Sequence, residues 1–119
     1  MPGFEIEQVM EQRLRMLERE TPEAVLYHDI EGDHDARWGI ITMVDAEGRT
    51  LCVEFVESKE SLDRPDVMAR YDRAAMSAAR VLVVVPDRVH DQAADMLSRV
   101  ANPSVELASY DVVGLTLLV

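Results

Sequence analysis

Glu57-Ser58-Lys59 places a carboxylate two residues from the chain's only lysine, at the end of the apolar run Thr50 to Val56. A carboxylate in that position can hold a divalent cation. The chemistry needs a second anionic ligand: two carboxyl groups within about 5 Å can share one Mg²⁺ or Mn²⁺ at ligand distances of about 2.0 to 2.6 Å. Glu54 lies on the same run, but strand side chains alternate, so Glu54 and Glu57 point to opposite faces. If Glu47-Gly48 is a two-residue hairpin turn, Asp45 lies opposite Thr50, Ile41 opposite Glu54 and Trp38 opposite Glu57. Asp45 is then remote from Glu57. The acidic candidates that remain are Asp35 and Asp33, with Glu7 or Glu11 of an N-terminal helix as an extra ligand.

The other chemically rich segment is His28 to Asp35, with two histidines and four carboxylates. Its glycine comes too early for a calcium-binding loop, and Ile40 stands where a bidentate glutamate would close one. Zinc is weakly supported, because no cysteine lies nearby. A solvated acidic loop accounts for the segment better. Cys52 stands between Leu51 and Val53 and reads as core, and as the only cysteine it forms no internal disulfide. His90 has no evident partner, and no serine sits in a Gly-X-Ser-X-Gly turn.

The elements that must carry these residues follow from periodicity. Ile6, Val9, Met10, Leu14 and Leu17 recur at helical spacing and predict an amphipathic helix from Glu5 to Arg19, stopped by Thr21-Pro22. Ala24 to His28 predicts a short strand, and Asp29 to Asp35 a loop. Arg37 to Val44 and Thr50 to Val56 predict a hairpin. Asp63 is placed to cap a helix that carries Pro65 in its first turn, runs to about Ala79 and buries Val67, Met68, Tyr71, Ala75 and Ala78. Val81 to Val85 has no alternation, which predicts a central strand covered on both faces. A helix after Pro86-Asp87 ends at Asn102-Pro103. Val105 to Ser109 and Val112 to Val119 predict final strands, and the second could be an edge that pairs across a homodimer.

The 119 residues, 48% of them apolar, predict one α/β domain spanning 1–119, with helices on both faces of a mixed sheet in the order αβββαβαβ(β). The glycines are scattered singly, which argues against a doubly wound nucleotide-binding fold. No apolar stretch reaches membrane-spanning length and no signal peptide opens the chain, so a cytoplasmic protein is expected. The net charge of −11 repels phosphate and disfavours nucleic acid as a partner. Arg64, Arg70, Arg73 and Arg80 form a local exception.

The run Ile40 to Val56, with its central turn, and the strand Arg80 to Asp87 after a crossover helix resemble the restriction-endonuclease-like, or PD-(D/E)XK, superfamily. Active members of that family hold a divalent metal with an aspartate early in the second strand and a Glu-X-Lys or Asp-X-Lys pair on the third. Aligning Glu54-Phe55-Val56 with that pair keeps the glutamate, puts valine in place of lysine, and brings the family aspartate to Ile40 or Ile41. Aligning Glu57-Ser58-Lys59 keeps both residues but moves the site toward the strand end. The resemblance therefore implies a degenerate, catalytically inactive nuclease-fold domain acting as a binding or assembly module, with no cofactor expected and its protein partner unidentified. Its alternative is a Mg²⁺- or Mn²⁺-dependent nuclease of DNA repair or recombination, with Glu57 and Asp35 holding metal and Glu57 and Lys59 as catalytic residues.

Overall fold

A computed structural model describes residues 6–33, 36–99 and 104–115. Helix α1 (Ile6–Glu20) opens it, followed by strands β1 (Val25–Glu31), β2 (Trp38–Val44) and β3 (Thr50–Val56). A 3₁₀ turn at Glu60–Asp63 leads into α2 (Val67–Ser77), then β4 (Arg80–Val85), α3 (His90–Leu97), β5 (Val105–Ser109) and the short α4 (Tyr110–Val113). The five strands form one mixed sheet in the order β1-β2-β3-β4-β5. The first two pairings are antiparallel, and the β3–β4 and β4–β5 pairings are parallel, joined through α2 and α3. Among the described residues, no helix is long and apolar enough to cross a membrane.

Each face of the sheet carries its own core. On one side, Ile6, Val9, Met10 and Leu17 of α1 pack on Ile41, Val56 and Val84, with Tyr110 and Leu115 closing the end. On the other, Val67 and Tyr71 of α2 and Ala93 of α3 meet Trp38, Phe55, Val81, Val83 and Val85. Strand β4 feeds both cores and is buried along nearly its whole length, as a run without alternation requires. At Gly39 the helix comes so close that a β-carbon would lie 2.1 Å from Met10 Sδ. Glycine is what allows α1 to lie against the backbone of β2 there.

Several boundaries differ from those the sequence predicts. Strand β1 continues to Glu31, because pairing with apolar β2 carries its polar residues along an edge whose outer face is solvated. The β2–β3 turn has three residues rather than two. Asp45 N donates to Arg49 O, Gly48 takes φ 84°, and the register slips so that Val44, not Asp45, faces Thr50. This is a type I turn followed by a left-handed glycine, with Leu51 as the extra residue. Beyond the slip, Ile41 faces Glu54 as expected. Asp63 closes the 3₁₀ turn instead of capping α2, whose N-cap position falls on Asp66.

Where a strand is predicted from Val112, the described residues form a helical turn, Tyr110–Val113. Ser109 Oγ caps its start by accepting from Val112 N, and Gly114 at φ 86° ends it. A cap at each end outweighs the β-branched composition of so short a segment. Residues 116–119 lie outside the described residues, so the dimer-edge expectation is tested only at its start, where the backbone is helical.

Candidate functional site

Glu57 follows β3 by one residue, and its N–H still donates to Val84 O at 2.8 Å, which extends the parallel ladder to the strand end. Alternation sends its side chain toward α2, and it is 0% exposed. Four donors meet the carboxylate. Oε1 accepts from Ser61 Oγ and from Arg64 Nη1 at 2.7 Å, while Oε2 accepts from Arg64 Nη2 at 3.2 Å and Tyr71 Oη at 2.5 Å. A carboxylate has about four lone-pair sites, so these donors use its whole accepting capacity. The main-chain oxygen of Glu57 accepts from the Tyr110 hydroxyl.

Arg64 is held on its other side by Trp38, whose ring centroid lies 3.6 Å from the guanidinium carbon. Phe55 meets the Tyr71 ring edge-on at 4.9 Å. Among the described residues, Trp38 Nε1 and Arg64 Nε are buried without a hydrogen-bond partner, and Asp66 Oδ1 at 3.8 Å from Nε is too distant to serve. Through the opposite face, Glu54 pairs with Arg13 of α1, which donates from Nε at 2.5 Å and Nη2 at 2.9 Å. Desolvation opposes the charge on Arg13, but the hydrogen bond and charge of Glu54 outweigh it, so the guanidinium stays protonated above its ordinary range. Glu54 and Glu57 thus point to opposite faces, and each is neutralised by its own arginine.

Among the described residues, those named for metal chemistry do not converge on one point. Lys59 is exposed at the start of the 3₁₀ turn and is not among the donors to Glu57. Asp35 lies outside the described residues, as does His34. Glu7 pairs with Arg37 at 2.6 Å and Glu11 with Arg15. Among the described residues, no group of three or more histidine, cysteine or acidic side chains is placed to hold an ion. Holding a divalent cation would require Glu57 to release Arg64, which donates to both of its oxygens. Cys52 is buried, and burial, followed by the charge of Glu54, pushes its thiol up and away from reactivity.

Three of the four clustered arginines are also occupied: Arg64 by Glu57, Arg70 by Glu31 at 3.0 Å and Arg80 by Glu106. Of that group, Arg73 alone is exposed on α2 with no carboxylate partner among the described residues. What sequence reasoning missed is the role of Ser61, Arg64 and Tyr71 as ligands of Glu57 and of Arg13 as the ligand of Glu54. Comparison with protein-family models, with curated proteins and with solved structures gave no match.

The Tyr71 and Tyr110 phenols are pushed far above their ordinary range, first by burial and then by the charge of Glu57. A raised folded-state value means that the native chain keeps protons that the unfolded chain gives up above about pH 10. Their contribution is therefore complete below that pH and is lost as pH rises beyond it. Two such groups give a slope of about 2.7 kcal/mol per pH unit, and Tyr71→Phe should roughly halve it. Urea unfolding at pH 9, 10 and 11 measures this, and a flat profile would contradict the buried placement of the two phenols.

Proposed function

We propose that this chain is a catalytically silent domain of restriction-endonuclease-like architecture that works as a binding or assembly module. The observation that carries this is the saturation of the Glu57 carboxylate by Ser61, Arg64 and Tyr71, which converts the one acidic group of the Glu57-Ser58-Lys59 triplet into a structural anion. The pairing of Arg64, Arg70 and Arg80 with carboxylates supports the same conclusion, since it offsets the positive charge of this group, and Arg64 is sequestered in the core. With a net charge of −11, the surface favours a protein partner over a nucleic acid.

Calorimetric titration with Mg²⁺ and Mn²⁺, paired with cleavage assays on linear and branched DNA, tests this. The expected result is no saturable heat and no cleavage. A one-equivalent isotherm together with cleavage that disappears in Lys59→Ala would overturn it and establish the metal-dependent nuclease instead.

A further inference from the structure

Strand β1 lies at the end of the sheet, and its outer edge has no partner strand among the described residues. It is regular over all seven residues, with unbroken register against β2. Edge strands are ordinarily protected by charged side chains, above all lysine, or by a proline, a bulge or a covering segment; the charges of β1 are Asp29 and Glu31, and Glu31 is paired with Arg70. Val25–Glu31 contains no proline, lysine or bulge, and it leaves Val25 48% and Tyr27 60% exposed. The Ile30 N–H donates to its neighbour's carboxylate, Asp29 Oδ1, at 2.9 Å rather than to β2, so it points to the open edge. Main-chain groups alternate between the two edges of an antiparallel strand, so those of Leu26 and His28 point the same way.

We propose that β1 is a homodimer interface, in which the strand pairs antiparallel with β1 of a second copy about a two-fold axis at His28. This names a partner for the assembly role proposed above and rests on that reading. The strand is self-complementary in this register. All seven residues overlap, and Leu26, His28 and Ile30, whose main-chain groups face outward, meet Ile30, His28 and Leu26 of the second copy. Leu26 then faces an isoleucine, Tyr27 faces Asp29 and Val25 faces Glu31, so no like charges stand opposite one another. Sliding the pairing by one step toward the C-terminus would set Asp29 against Asp29. Asp29 must release the Ile30 N–H, which the second strand's carbonyl replaces. The result is a continuous ten-stranded sheet with both inner edges consumed.

The register makes a specific cross-linking prediction. Directly opposed residues in a hydrogen-bonded antiparallel pair have α-carbons about 5.5 Å apart, within disulfide range. Two copies of residue 26 would be about 14 Å apart, beyond it. Oxidised His28→Cys should therefore form a covalent dimer at least tenfold faster than Leu26→Cys, with buried Cys52 as an inert background. His28→Pro should abolish the dimer in sedimentation equilibrium, since it removes outward N–H donors and leaves the β2 ladder intact. If that variant does not fold, Tyr27→Glu decides, because it sets a like charge against Asp29 twice per dimer. A chain that stays monomeric to about 1 mM, equal cross-linking at both positions, or a dimer unmoved by these substitutions would overturn the interface. None of those outcomes bears on the metal titration, so the two proposals can fail separately.

Discussion

Glu57→Ala should lower the free energy of unfolding by about 3–5 kcal/mol, one of the two largest single-residue effects expected in this chain. The substitution removes a fully buried anion and leaves Arg64, 10% exposed, without its buried counter-ion: Nη2 loses its acceptor, while Nη1 keeps only the Ser61 carbonyl at 2.7 Å. The Tyr71 hydroxyl loses its acceptor as well. Each orphaned neutral donor is worth about 1–3 kcal/mol, and a stranded charge more. Glu57→Gln keeps the shape and one acceptor oxygen but still strands the charge, so it should fall between wild type and alanine. Lys59→Ala, two residues away and exposed, should stay within about 0.5 kcal/mol of wild type. Urea denaturation of the three variants separates the alternatives. A catalytic pair predicts activity losses at both positions with little change in stability, whereas a structural anion predicts a large stability loss at Glu57 alone.

The second large effect concerns the ion pair through the other face. Arg13 and Glu54 are both nearly inaccessible, with side chains 8% and 4% exposed. Glu54→Leu should cost about 3–5 kcal/mol, because it leaves an unpaired guanidinium beneath α1. Replacing both partners, as Arg13→Met with Glu54→Leu, should recover most of that loss, since an apolar pair of similar volume avoids two desolvation penalties. The double-mutant cycle in chemical denaturation gives the coupling directly. Additive losses in the double variant would mean that α1 is held by its apolar stripe alone.

Much of the architecture was legible because it rests on strict local rules. Two-residue alternation sent Glu54 and Glu57 to opposite faces, and the unbroken Val81 to Val85 run identified a strand buried on both sides. Arg13 carried a readable signal too. It stands between Met10 and Leu17 at helical spacing, inside the buried stripe of α1, so a charged partner below it was required. The Glu57 cluster was less accessible. Ser61, Arg64 and Tyr71 converge only because the chain folds back through a 3₁₀ turn whose angle no periodicity encodes, and Tyr71 counted as an apolar-face residue before its hydroxyl had a direction. The α4 turn was missed for a different reason. Its Ser109 and Gly114 caps were visible, but β-branched neighbours outvoted them in a segment too short for propensity to decide.

The partners of Glu57 also differ in how far along the chain they lie. Its carboxylate is met by Ser61, Arg64 and Tyr71, at separations of 4, 7 and 14 residues, while its carbonyl waits for Tyr110, 53 residues on. Closing the longer loop costs about 1.2 kcal/mol more chain entropy than closing the 14-residue one. The charged cluster can therefore assemble as an early, local nucleus while most of the sheet is unformed, and the tyrosine bolts the end of β3 only after β4 and β5 have been laid down. The Tyr110 contact thus needs β4 and β5 in place, whereas the carboxylate cluster needs only the stretch from Glu57 to Tyr71.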